Sequence, residues 1–234
     1  MIPIIDSESI SSGQVLLFDK PFQWTSFQLV GKVRWLLCRK FGWKKLKVGH
    51  AGTLDPLATG LMIICTGKAT KQIANLTGFD KEYVAEIKFG ETTPSFDLET
   101  EVDATFDTAG INAEKIREKL ENFIGNIQQV PPIFSAKYVN GIRAYSLARQ
   151  GIEAELKPSE VTVHEFELLD YQAPVGRFRI RCSKGTYIRS LARDLGLELD
   201  SGAHLTALVR TAVGAYKLSD AMKLEDFEKN IKLL

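Results

Sequence analysis

The run GHAGTLDPLATGLMIICTG, Gly49 to Gly67, constrains the fold more than any other part of the chain. Its first half is punctuated by glycine and proline, which break regular structure. Its second half, LMIICTG from Leu61, is apolar and rich in β-branched residues, and reads as an interior strand. A glycine-rich loop therefore runs straight into the core of a sheet, carrying one carboxylate, Asp55. Pro56 disfavours helical backbone at Asp55 and pushes it to an extended conformation. Gly49, Gly52 and Gly60 permit tight turns and close approach of another molecule. A carboxylate presented from a stiff loop with few competing charges suits a nucleophile or general base. An Asx-type turn bonding the local backbone also explains an Asp here, and from the loop alone it is the more ordinary explanation. The loop alone leaves both readings open.

The flanking pattern predicts a mixture of elements. Gln14–Asp19 reads as a buried strand stopped by Lys20-Pro21. Thr25-Ser26 then offers an N-cap for a helix through FQLVGKVRWLLCRKF, where Phe27, Val30, Val33, Leu36 and Leu37 follow helical spacing. A short helix, ATKQIANLTG, precedes an alternating strand, YVAEIKFG, and Asn112 opens a charged amphipathic helix over 112–124. Strands return at EVTVHEFELLDY and RFRIRC, followed by a helix from Thr186 and a strand-like segment, HLTALVRTAVGAY. The order is mixed, without regular strand–helix alternation, which predicts an α+β fold with a mixed sheet and flanking helices. No linker divides the chain, so residues 1–234 are expected to form a single domain. Between them, IQQVPPIFSAKYVNGIRAYSLARQG reads as a long excursion, and such segments are commonly functional.

Charge and composition exclude several classes. Hydrophobic residues at 44% and charged residues at 25% are ordinary globular values. No apolar run approaches the length that spans a bilayer, and the N-terminus lacks a secretory signal. Cys38, Cys65 and Cys182 are far apart, and His50, His164 and His204 are isolated from one another, so no metal site is expected and the thiols read as reduced and cytoplasmic. Net charge is only +1, but Lys32 to Lys47 holds seven basic residues and no acidic one. That run reads either as a solvated helix face or as a phosphate-facing surface. In CSKGTYIRSLARDLG, Arg189 falls in the first turn of a helix. Beside a carboxylate such an arginine would keep it ionised, whereas alone it is an exposed helix charge.

GHAGTLDPLATGL closely resembles the catalytic motif of the TruB-type tRNA pseudouridine synthases. DKPFQWTS (Asp19–Ser26), KEYVAEIKFG (Lys81–Gly90), PPIFSA (Pro131–Ala136), CSKGTYIR (Cys182–Arg189) and GAHLTALVR (Gly202–Arg210) resemble that family's other blocks in the same order. The resemblance implies the pseudouridine-synthase fold, with Asp55 as nucleophile, Tyr83 stacking on the target base and Arg189 as the cation beside Asp55. It further implies that Tyr187 and Leu208 line the uracil pocket, that His50 contacts the RNA, and that Lys20 supports the floor of the site. Gly52 and Thr53, in the same motif, are expected to border the substrate.

The implied reaction detaches uracil from its ribose, rotates it and rejoins it through carbon, with no cofactor and no metal. The implied substrate is the uridine at tRNA position 55, in the T loop, gripped by the basic run and by an insertion around 126–155. The chain is expected to act as a monomer without an obligatory protein partner. Because the sequence ends at Leu234, the chain is expected to lack the PUA-type RNA-binding domain that many members of the family carry, and it holds Gln23 where the family commonly has glycine. The same chemistry on another RNA, and a tRNA-folding chaperone, are the alternatives. An Asp-nucleophile phosphohydrolase would want a second carboxylate and a magnesium site that GTLDPLATG does not offer.

Overall fold

The strand expected after the glycine-rich loop is β3 (Ala58–Thr66), buried at all but one of its positions. Burial on both faces explains why its sequence is continuously apolar and not alternating. One face, Leu61, Ile63 and Cys65, packs with Ala51, Ala69, Leu76 and Val213. The computed structural model describes residues 6–135, 137–139, 141–148, 150–152 and 156–233.

The chain forms two compact units, Met1–Tyr83 with Val209–Leu234, and Val84–Leu208. In the first, β1 (Val15–Lys20) pairs antiparallel with β3, from Val15 opposite Cys65 to Lys20 opposite Gly60. β1 also pairs in parallel with β9 (Met222–Lys223), so the sheet is mixed. β2 (Val48–His50) adds antiparallel to the far end of β3. Helix α1 (Ser7–Ser12) is tied to that end where Thr66 Oγ1 donates to Ile10 O.

Helix α2 (Ser26–Phe41) begins where the sequence predicts. Thr25 and Gln28 form a reciprocal capping box, and Gly42 ends the helix in the left-handed conformation. Its face of Leu29, Val30, Val33, Leu36 and Leu37 is buried. The C-terminal α5 (Leu224–Leu233) packs on α2 and, through Phe227, on Phe18 of β1 with ring centroids 5.0 Å apart.

The second unit is built on antiparallel strands. β6 (Ser159–Gln172) pairs with β5 (Gly125–Gln129) on one side and β7 (Val175–Cys182) on the other. Phe123, Phe166, Phe178 and Phe89 form a chain of edge-on ring contacts through its core. α3 (Ala113–Leu120) is capped by Asn112 as expected and continues as a 3-10 turn over Glu121–Phe123. α4 (Ile188–Glu198) is the helix that carries Arg189. Strands β4 (Lys81–Phe89) and β8 (Ala203–Val213) each run from one unit into the other. Part of the Pro-Pro excursion, residues 136, 140, 149 and 153–155, lies outside the described residues.

Candidate active site

The loop of Asp55 is fastened from several directions. Ser26, the first residue of α2, donates its hydroxyl to Leu54 O and accepts Leu54 N–H, both at 2.9 Å. Gln23 N–H donates to Pro56 O at 2.9 Å, and Ala58 N–H closes a turn onto Asp55 O at 3.1 Å. Asp19 Oδ1 accepts from Gly60 N–H at 3.1 Å. Residues on both sides of Asp55 therefore have fixed partners.

Lys20 lies beneath this loop with none of its surface exposed. Its Nζ donates to Pro21 O (2.9 Å), Trp24 O (2.6 Å) and Pro56 O (3.3 Å). Burial pulls its pKa down to about 8, partly opposed by the attraction of Asp55, with Arg210 pushing it further down and Asp19 pulling it back. The turn it closes places Gln23 at φ +63°, the left-handed region where a residue without a Cβ is unstrained.

His50 ends β2, one residue from Ala51, whose N–H bonds Ile63 O on β3. Burial lowers the His50 pKa, a backbone contact with Gly52 opposes this, and Arg210 adds to the lowering. Its Nδ1 is buried without a hydrogen-bond partner among the described residues. Gly52 and Thr53 turn their carbonyls to one guanidinium: Arg210 Nη2 donates to Gly52 O at 3.1 Å and Nη1 to Thr53 O at 3.3 Å. Tyr83, also in the first unit, is a buried residue of β4.

Arg189, Tyr187 and Leu208 belong to the second unit. Arg189 is 4% exposed, so the reading of it as an exposed helix charge does not hold. Its Nε lies 3.6 Å from Asp97 Oδ2, Nη1 donates to Ser95 O (3.1 Å) and Nη2 to Phe134 O (2.8 Å). Asp97 in turn accepts Glu99 N–H, and its carbonyl takes the hydroxyls of Thr93 and Ser95. Tyr187 caps α4 and is locked in both directions to the buried Gln129, N–H to Oε1 at 2.8 Å and Nε2 to carbonyl at 3.1 Å. Ser190 Oγ donates to Val130 O, so the start of the Pro-Pro excursion is stitched to the beginning of α4 through Tyr187, Arg189 and Ser190. Leu208 is only partly buried, unlike an ordinary core leucine.

Sequence reasoning passed over Arg210 and Gln129. Arg210 lay at the end of a quoted block, but an arginine within a strand gives no sign of being 1% exposed. Among the described residues no group of three or more His, Cys, Asp or Glu is placed to hold a metal ion.

A carboxylate on a pinned loop above a buried lysine, in an α+β protein with a mixed sheet, defines a site for covalent or acid–base chemistry by side chains. The family model described as TruB family pseudouridylate synthase (N terminal domain) matches residues 39–188, and that of the tRNA pseudouridylate synthase B C-terminal domain matches residues 189–233. The chain is 57% identical over 219 residues to a tRNA pseudouridine synthase B of Phocaeicola vulgatus, covering 94% of this chain and 93% of that one. It is 52% identical over 226 residues to a protein of the same name from Flavobacterium johnsoniae, covering 96% and 99%. Among solved structures it resembles a chain in a Cbf5-Nop10-Gar1 complex, with TM-score 0.71 and 28% identity over 94% of this chain. It also resembles one in an H/ACA RNP bound to a substrate RNA containing 2'-deoxyuridine, with TM-score 0.67 and 26% identity over 94% of this chain. The chain spans 54% and 53% of the length of those two solved chains. The protein belongs to the TruB family of pseudouridylate synthases, and its fold is theirs.

Proposed function

We propose that this protein isomerises uridine to pseudouridine at position 55 in the T loop of tRNA, with Asp55 as nucleophile. The observation that carries the reading is Asp55 itself. It stands in the family's motif, in a chain with relatives named tRNA pseudouridine synthase B along nearly their whole length, on a loop whose backbone is pinned on both sides. Tyr83 stacks on the target base and Arg189 is the cation that keeps the nucleophile ionised. Tyr187 and Leu208 border the uracil, His50 contacts the RNA, and Gly52 and Thr53 border the substrate. No cofactor is required, because a carboxylate can both attack and leave.

A base inside a folded loop must be unstacked and swung out, at a cost of a few kcal/mol. Phosphate contacts from the Lys32–Lys47 run and loop contacts from the 126–155 insertion offset that cost. The protein acts as a monomeric cytoplasmic enzyme without an obligatory partner. No helix among the described residues is long and apolar enough to cross a membrane.

The test combines purified protein with an unmodified tRNA transcript, without added metal or cofactor. Carbodiimide treatment and primer extension should show one new stop at the T-loop uridine, absent with Asp55→Asn, while that variant still binds tRNA. Retained binding with no stop for the wild type would point to another RNA or to a chaperone. Parallel loss of binding and turnover in Asp55→Asn would make Asp55 structural.

A further inference from the structure

We infer that Arg210 is a positioning residue for the reaction, a guanidinium that ties the two ends of the Asp55 loop together and so sets where the carboxylate stands. The inference rests on the proposed activity of Asp55. Arg210 projects from β8 and uses its donors in three directions. Nε donates to Leu61 O on β3 at 2.7 Å, Nη1 to Thr53 O at 3.3 Å and Nη2 to Gly52 O at 3.1 Å. Gly52 and Thr53 lie just upstream of Asp55 and Leu61 lies downstream, so one planar group closes the loop between them.

The backbone fits the same closure. Gly60 has φ +101°, and a Cβ placed there would sit 2.4 Å from Arg210 O and 2.6 Å from Arg210 N. Only a bare backbone lets the downstream end of the loop lie against Arg210. At 1% exposure, and with no carboxylate pairing with it among the described residues, the Arg210 charge is balanced by carbonyl dipoles. Its field also reaches Lys20 and His50 and lowers the pKa of each.

Arginine suits this task where lysine does not. The guanidinium presents five donors in a rigid fork, whereas an ammonium is a point charge on a flexible stem. Ser26, Gln23 and Lys20 hold the loop from the α2 side, at Leu54 and Pro56. Arg210 is the group that holds it from the β8 side. A misplacement on the order of 1 Å in a reacting group costs about 100-fold in rate.

The test measures single-turnover rate at saturating tRNA and tRNA Kd for wild type, Arg210→Gln and Arg210→Lys, with folding checked by circular dichroism. The expected result is a fall of about 100-fold in rate for Arg210→Gln with Kd within about threefold of wild type. Arg210→Lys, which keeps the charge but not the fork, falls between. In the folded Gln variant the His50 ring, followed by NMR, titrates at higher pH than in wild type. A folded variant with wild-type rate, or an equal loss of binding and rate, would overturn the inference. Should neither variant fold, exchange of the Arg210 Nε–H with solvent, followed by NMR on the wild type, decides it. That proton, donated to Leu61 O, must then exchange slowly, and exchange as fast as in free arginine would overturn the inference. A wild type that leaves tRNA unmodified, with that proton protected, would instead refute the proposed function and leave the clamp intact.

Discussion

Burial takes Lys20 out of water, and the consequences depend on pH in a direction that can be worked out. Its pKa is about 8 in the folded protein against an ordinary value of 10.5. Below pH 8 both folded and unfolded chains carry the charge, and the folded state bears the cost of burying it. Between pH 8 and 10.5 the folded state sheds a proton that the unfolded chain keeps, so this group's contribution to stability rises with pH, by on the order of 3 kcal/mol in all. Activity runs the other way. Above pH 8 the ammonium beneath Asp55 is lost, so the pH–rate profile should show an alkaline limb with a midpoint near 8. In Lys20→Arg, whose guanidinium stays charged, that limb should move out of the range. A limb unchanged in the variant would assign it to another group. Nothing in the Lys-Pro pair as written signals such an acidic lysine, because the shift comes from burial in an enclosure that distant segments complete, with Arg210 adding to it.

At the scale of elements, α2 was the most legible part of the fold, since a capping residue, the apolar spacing and a terminal glycine all mark it. What its first residue does was not legible. Ser26 Oγ is buried and makes both hydrogen bonds to Leu54, 28 positions away. Ser26→Ala should therefore cost about 1–3 kcal/mol, by leaving a buried N–H and C=O without partners, and should lower turnover more than tRNA binding. Chemical denaturation and a kcat-against-KM comparison would check this, and a loss below about 0.5 kcal/mol would show that water replaces the hydroxyl. Gln23 offers the opposite change. Held at φ +63°, it should give up to about 1 kcal/mol of stability on substitution to glycine, because left-handed backbone strains any residue with a Cβ. The helix over 112–124 was placed correctly at its Asn112 cap, but its last turn tightens to a 3-10 turn in which Phe123 packs on Phe166.

Over the whole molecule the charge is nearly balanced, and its distribution carries the proposed RNA contact. Lys32 of the basic run is already paired with Glu228, and Lys32 and Arg39 both lie over the Trp35 ring. Lys44, Lys45 and Lys47 have no ion-pair partner among the described residues. Replacing these three with alanine should weaken tRNA binding and reduce the slope of log K against log salt by about 2, as expected for the loss of up to three phosphate contacts. A slope unchanged in the triple variant would make this face a solvated one.

The sequence by itself determined the elements, the loop that carries Asp55 and the family, because spacing, caps and motif order are local and survive without a fold. Only the tertiary structure decided the states of the charged residues. Arg189 reaches Ser95 across 94 positions and Arg210 reaches Gly52 across 158. Lys20 is enclosed by Pro56, 36 positions away, and loses proton affinity there. Burial and the partners that make it tolerable are properties of long-range contact, and a linear pattern of residues holds no record of either.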